Sequence, residues 1–446
     1  MVVEINAGHS NRCMLENRLF ACIGAPELAL VGRVCWVRGS MRIRAFQGLR
    51  PQPDKAAKVA ALPYDVVSTE EARALAAGNP LSLLHVTRAE IDLPEGTDPY
   101  SEAVYAKARE NFERLQREEG SLARETEPCV YLYRQSMGGH SQTGLVTVCH
   151  IEDYENDRIK KHEKTRKAKE DDRTTLNRTL RAHPGPVFLT YKDDTKVRDL
   201  TQAVVSGPPI CDFEAPDGVR HTLWRVAGGK AFVDAFADVP YSYVADGHHR
   251  AASAARVGKE LRDANPVHTG EEDYNWFLAV LFPAGELNIL PYNRVVADLN
   301  GLSADEFLRQ VGAGAEITSD ADPSPTCPGQ VSMYLGGRWY GLEFAADANE
   351  GPIERLDVSR LQDKILAPLL AIDDPRTSQR IDFVGGVRGT SELERRVDSG
   401  EWAVAFSMYP VTVGQLMEIA DAGAIMPPKS TWFEPKLRSG LVVHTF

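Results

Sequence analysis

The chain lacks a long apolar run, a C-x-x-C pair, a phosphate-binding P-loop and an excess of positive charge, and each absence removes a class of protein. No stretch approaches the roughly 20 apolar residues of a membrane span, so no membrane-embedded segment is expected. Seven cysteines stand at 13, 22, 35, 129, 149, 211 and 327. An odd number with no close pairing argues against a disulfide scaffold, fits a reducing cytoplasm, and reads as free thiols. No G-x-x-x-x-G-K-[ST] run occurs, and Asp382-Phe-Val-Gly-Gly-Val-Arg388 reads as a glycine-bearing turn without the order of a dinucleotide fingerprint. Lys and Arg number 51 against 63 Asp and Glu, a net charge of −12, which argues against a protein that holds nucleic acid by nonspecific electrostatics. No DNA-reading helix-turn-helix is legible either.

What is present is a globular composition, with 43% hydrophobic and 26% charged residues. At 446 residues the chain is too long for one ordinary core. Residues 1–40 carry three of the seven cysteines and no sustained period, so they are expected to be a disordered extension or a start-site artefact ahead of Met41. They lack the basic n-region of a signal peptide. Residues 41–295 are expected to form the catalytic domain and 296–446 a C-terminal α/β unit.

Within these bounds Arg42–Phe46 alternates like a strand, and Ser68 with Glu71 makes a capping box for a helix ending near Gly78. Asp98-Pro99 is expected to open a second helix, with Val104, Ala108, Phe112 and Leu115 on one face. Segments 129–134 and 143–151 flank Met137-Gly-Gly-His140 and predict a β-hairpin. Val187–Tyr191, His221–Val226 and Phe277–Phe282 read as further strands. In the C-terminal part, Ser303 and Glu306 suggest another capping box, Val331–Tyr340 a hairpin, and Asp357 the start of a helix running to about Leu370.

The richest stretch is Tyr241-Ser-Tyr-Val-Ala-Asp-Gly-His-His-Arg250 with the alanine-rich segment after it. Tyr241–Ala245 predicts a strand, Asp246-Gly247 a break, and the alanines a helix. Asp246, Gly247, His248, His249 and Arg250 therefore fall where a helix begins. A helix start offers unpaired N–H groups and the positive end of the dipole, and a glycine before it admits an anion to the backbone. A phosphate group is the expected ligand. The plain alternative has Asp246 capping the helix, the imidazoles satisfied in the core, and Arg250 paired at the surface.

A second stretch, Ile159–Arg173, carries seven Lys and Arg against four Asp and Glu in an otherwise acidic chain. It reads either as a solvated helix face with pairs such as Glu163 and Lys167, or as a site. In the second reading Glu163, beside His162, accepts a hydroxyl proton while Arg166, Lys169 and Arg173 offset phosphate charge. A third stretch, Met426–Gly440, is stiffened by proline, and Lys429, Ser430, Trp432, Lys436 and Arg438 are candidates for holding substrate. Its alternative is a packed terminal loop. His162, His248 and His249 lack the spacing of zinc ligands, and no protein metal site is assigned.

Taken together, Leu62-Pro-Tyr-Asp-Val-Val-Ser68, Lys161-His-Glu-Lys-Thr165, Ala245-Asp-Gly-His-His-Arg250, Pro291-Tyr-Asn-Arg294 and the 427–436 loop resemble the domain-of-unknown-function family 1015. The His-Glu pair followed by Asp-Gly-His-His-Arg is also similar to free-serine kinases of the ParB/sulfiredoxin-like superfamily. The resemblance implies an α+β fold with a ParB/sulfiredoxin-like mixed sheet, Glu163 as base, and Asp246 to Arg250 as the nucleotide-phosphate turn. It further implies a cytoplasmic phosphotransferase acting on a small hydroxyl-bearing metabolite, possible substrates including free L-serine, with Mg2+ and ATP or ADP. The alternatives are a nucleotide-binding switch and a phosphoester hydrolase. Oligomeric state is left open.

Overall fold

Two large sheets organise the chain, and the turn between a strand and a helix at residue 247 lies on the first. The computed structural model describes residues 40–118, 120–345 and 349–446. The expectation for the N-terminal extension, Ser40 aside, lies outside these residues. All described residues belong to one compact unit. None of its helices is long and apolar enough to cross a membrane.

The first sheet has nine strands. Its centre is Trp276–Pro283, which pairs antiparallel with His140–His150 and parallel with Val187–Tyr191. Ser242–Asp246 lies beyond Val187–Tyr191 and is antiparallel to it, and Ile159–Lys160 closes that edge in parallel. On the other side come Cys129–Met137, Arg220–Ala227 and Cys211–Glu214. The sheet is mixed, and helices and sheets together give the α+β class expected. The hairpin at Gly138-Gly139 forms as read, both glycines having positive φ.

The helix His248–Ala264 packs on this sheet through Ala251, Ala254 and Ala255, so small side chains let its axis come close. Gly258 is required there, because a Cβ would stand 2.4 Å from the Tyr274 carbonyl oxygen. A second core gathers Ala72, Leu84, Phe112, Leu115 and Leu176 from the helices Thr69–Ala76, Leu84–Thr87, Glu102–Arg117 and Lys167–Leu180. The Ser68–Glu71 capping box is fully formed. The second helix begins later than expected, at Glu102, because Asp98 accepts from Tyr100 N–H and holds a turn ahead of it.

The second sheet has six antiparallel strands, from Tyr292–Val296 through Gln330–Leu335 and Arg338–Glu343 to Val404–Met408. The segment from Asp382, read above as a turn, is the strand Ile381–Gly385 paired with Tyr292–Val296. Tertiary pairing overrides its glycines. The helix from Asp357 ends at Leu361 and continues as a wider π-turn, Gln362–Leu366. After this sheet the chain returns to the first half. Trp432–Glu434 pairs with Asn288–Leu290, and His444–Thr445 with Ala182–His183.

Candidate functional site

Four segments distant in sequence meet at the start of the helix His248–Ala264. The strand Ser242–Asp246 is buried because it is flanked on both sides, and Tyr243 and Val244 suit that setting. Its register shifts between Val244 and Asp246, an irregularity of the kind that re-aims a side chain. Gly247 then turns the chain with φ +94° and is itself the N-cap. Asp246 therefore does not cap the helix, and no side chain does. The first-turn N–H groups are left for another acceptor.

Asp246 instead faces cations. Its Oδ2 accepts from Lys436 Nζ at 3.0 Å, and Arg250 approaches Oδ1 at 3.6 Å. Burial works to raise its pKa, but Lys436 and Arg250 outweigh that and hold the carboxyl well below the usual range. Burial likewise works to lower the Lys436 pKa, and Asp246 reverses it upward. Both partners are thus charged at neutral pH. Arg250 also donates to the Pro186 carbonyl, while its Nε has no partner.

The segment Lys161–Arg166 is loop, since the helix begins only at Lys167. Glu163 is thus outside the helix and makes no pair with Lys167, whose ammonium binds Asp171 at 2.7 Å. His249 Nε2 accepts from Arg166 N–H at 2.9 Å, which ties this loop to the turn. Glu163 Oε2 stands 3.7 Å from His248 Nδ1. Burial keeps the His248 pKa well below its ordinary value, so this is a contact between a carboxylate and a neutral ring rather than an ion pair. Burial raises the Glu163 pKa and Asp246 and Asp65 add to it, while Lys429 and Arg166 oppose. The Glu163 side chain nonetheless keeps 44% of its surface exposed.

His162 is buried and meets His248 edge to face, ring centroids 4.5 Å apart. Neither ring nitrogen of His162 has a partner within hydrogen-bond geometry, nor does His248 Nε2. Burial lowers His162 to about 4. Two neutral imidazoles therefore back the Glu163 loop, and His249 is lowered by burial as well.

The C-terminal loop completes the site. Met426 N–H donates to the His162 carbonyl at 2.8 Å. Lys429, exposed and at φ +58°, brings its charge to Glu163 and stacks on Tyr292 at 5.2 Å. Lys436 reaches Asp246 and lies 4.7 Å from the Trp432 ring. Further support comes from Asp421, which binds Lys160 at 2.7 Å and the Tyr243 hydroxyl at 2.9 Å.

Other cations named from the sequence point elsewhere. Arg173 is buried, bonded to Asp172 and the Thr87 carbonyl, with its guanidinium 3.9 Å from the Tyr64 ring centre. Arg438 is buried and donates to Asp217. Lys169 lies over Tyr100 at 5.6 Å, and the Ser430 hydroxyl is turned to the Pro427 carbonyl at 2.6 Å. Arg173, Arg438 and Ser430 are thus engaged by partners outside the turn, whereas the Lys169 charge also acts on His249. One residue was missed. Asp65, exposed at the end of Leu62-Pro-Tyr-Asp65, acts electrostatically on Glu163, His249 and Lys436. The only sequence signal for it was its place in a segment already singled out.

Arg250 lines a small cavity of about 30 Å3 together with Tyr64, Arg173 and His183, room for about two waters and too little for a nucleobase. Glu163 borders a separate, open polar cleft of about 690 Å3, with Lys160, Lys164, Tyr241 and Asp421 on its walls. Among the described residues no group of three or more His, Cys, Asp or Glu side chains is arranged to hold a metal ion.

The family described as "Protein of unknown function (DUF1015)" matches over residues 43–359. No curated protein matches the chain. Similar solved structures include a free serine kinase in complex with AMP, at 12% identity over 64% of this chain and 89% of that one, with a TM-score of 0.33. SbnI with C-terminal truncation from Staphylococcus aureus is similar at 12% identity over 66% and 87%, with a TM-score of 0.36. A conserved hypothetical protein from Pyrococcus furiosus shows 13% identity over 64% and 93%, with a TM-score of 0.31. Likeness this distant assigns no role to any residue.

Proposed function

The chain belongs to the DUF1015 family, and from the site described above we propose that it is a phosphotransferase, moving a phosphoryl group from a nucleotide to a small hydroxyl-bearing metabolite. Free L-serine is the acceptor suggested by the motif resemblance. The observation that carries the reading is the Glu163 carboxylate, 3.7 Å from His248 at the mouth of a helix start that no side chain caps. Phosphoryl transfer asks for positioning and charge neutralisation more than covalent chemistry. Here the first-turn N–H groups and Arg250 receive the nucleotide phosphates, with Lys436 neutralising Asp246 so that it does not repel them.

Glu163 takes the proton from the acceptor hydroxyl. Burial raises its pKa, which makes its ionised form a stronger base than a solvent glutamate. Its partial exposure to the wide cleft leaves room for the acceptor beside it. Arg166 and Lys429 flank it and offset charge on the transferring group. The donor set does not form a magnesium cage of its own, so no step is assigned to Mg2+.

Openness of the cleft also favours a second reading, in which water replaces the acceptor and the same residues hydrolyse a phosphoester. The test incubates the protein with ATP or ADP, Mg2+ and serine, and separately with phosphoserine as a phosphoester, and follows phosphoserine and free phosphate by mass spectrometry and colorimetry. Phosphoserine that disappears in Glu163→Gln supports the kinase. Free phosphate alone supports hydrolysis, and nucleotide binding without either product supports a switch.

A further inference from the structure

The segment Pro291-Tyr-Asn-Arg294 supplies no reacting group to the proposed chemistry, yet it holds a buried cation with no carboxylate partner among the described residues. Arg294 sits in the strand Tyr292–Val296 and is 3% exposed. It donates to the Tyr292 carbonyl and, at 3.0 Å, to the Lys429 carbonyl. No carboxylate of the described residues pairs with it. A buried guanidinium without a counter-ion is costly, and burial pulls its pKa down to about 10. Carbonyl dipoles offset only part of that cost.

Arg294 does not face solid core. It lines an open cleft of about 390 Å3, within the range of small-molecule pockets. Ser359 shares that wall, 6% exposed with a hydroxyl that has no partner, and so does Gln362, whose side-chain oxygen is also unpartnered. Gln362 opens the π-turn, a distortion frequent at functional sites. Towards solvent the cleft carries Glu354, Asp363 and Asp373, all exposed and none in an ion pair with a described residue. Asp374 differs, being held by Arg376 at 2.8 Å.

We propose that this cleft binds a small amphoteric molecule of the α-amino acid class, with its carboxylate against Arg294 and its ammonium at the Asp363 and Asp373 mouth. A single buried cation calls for a single negative charge, and Ser359 supplies a hydroxyl to a second carboxylate oxygen. The acidic mouth disfavours a phosphate dianion and attracts an ammonium. Neither Glu163 nor the Asp246–Arg250 turn lines this cleft, and the two sites meet through Lys429, whose carbonyl Arg294 holds while its charge acts on Glu163.

The test titrates the full chain with each free L-amino acid by calorimetry. For any that bind, the matching carboxylic acid without the amine and the matching amine without the carboxylate follow. Binding is expected for at least one amino acid, weaker for its des-amino acid, and lost for the amine. Asp363→Asn with Asp373→Asn is expected to weaken it about three- to tenfold, as loss of two solvent-exposed ion pairs would, and Ser359→Ala to weaken it further. Arg294→Gln should abolish it, and the mouth variants keep the test valid if that variant does not fold. Glu163→Gln is expected to bind normally. Absence of binding at millimolar concentration overturns the proposal. So does affinity indifferent to the mouth variants, or affinity lost in Glu163→Gln, which would place the ligand in the other cleft.

Discussion

Gly247→Ala separates the role of the turn from its backbone strain. Gly247 has φ +94°, where an L-residue is disfavoured by roughly 1–2 kcal/mol. The added methyl would also stand 2.9 Å from Arg250 Nε and 3.0 Å from its Cζ. The guanidinium must then move from its place between the Pro186 carbonyl and Asp246. Gly270 supplies the control, with φ +93° and nothing within 4 Å of a built Cβ. Gly270→Ala should lose about 1–2 kcal/mol of stability in urea denaturation, and Gly247→Ala should lose more, because its Arg250 contacts are displaced as well. Only Gly247→Ala should also lose nucleotide affinity. Displacing one charge-assisted hydrogen bond is worth about 1.5–3 kcal/mol, so its Kd for ADP should rise about 10- to 100-fold by calorimetry. Equal ADP affinity in the two variants, both folded, would show that the turn holds no phosphate.

Glu163→Gln should bind ADP as the parent does and lose turnover by about 10²- to 10⁴-fold in the phosphoserine assay, the usual span for a general base. The acid limb of the parent's rate profile should have its midpoint above the ~4.3 of a free glutamate, because burial raises the carboxyl and only the ionised form is active. A limb at the free value would remove Glu163 from that role. Lys436→Met leaves Asp246 with Arg250 alone, and loss of the 3.0 Å partner should cost about 3 kcal/mol of stability and weaken ADP binding. Arg438→Gln, which breaks a contact to Asp217, should leave ADP affinity unchanged, and a weakened Kd in the folded variant would return Arg438 to the site. Asp357 is raised from 3.8 to about 6, chiefly by burial against the Gly329 N–H bond and Arg360. Its contribution is full below about pH 4 and falls as pH rises to about 6, by about 3 kcal/mol. Asp357→Asn should flatten that part of a stability profile measured by urea titration at each pH.

The strand, break and helix around Asp246-Gly-His-His-Arg250 were legible because each signal is local: aromatic and β-branched residues, then glycine, then alanines. The Gly138-Gly139 hairpin and the Ser68 capping box were legible for the same reason. By contrast Glu163 fits a helix pattern with Lys167 but lies in a loop, since the His249 contact to Arg166 N–H starts the helix after it. The strand Ile381–Gly385 was hidden by its glycines and exists because Tyr292–Val296 offers it an edge.

By itself the sequence determined the residue types the site can draw on and the helix start that presents them, since neighbours in the chain set backbone dihedrals. Which cations serve that site was decided by the tertiary structure alone. Lys436 reaches Asp246 across 190 residues, whereas Arg173 and Arg438, equally basic, are taken by Asp172 and Asp217. A charge answers to its nearest partner in space, and that partner is set by how the C-terminal loop folds back over the first sheet.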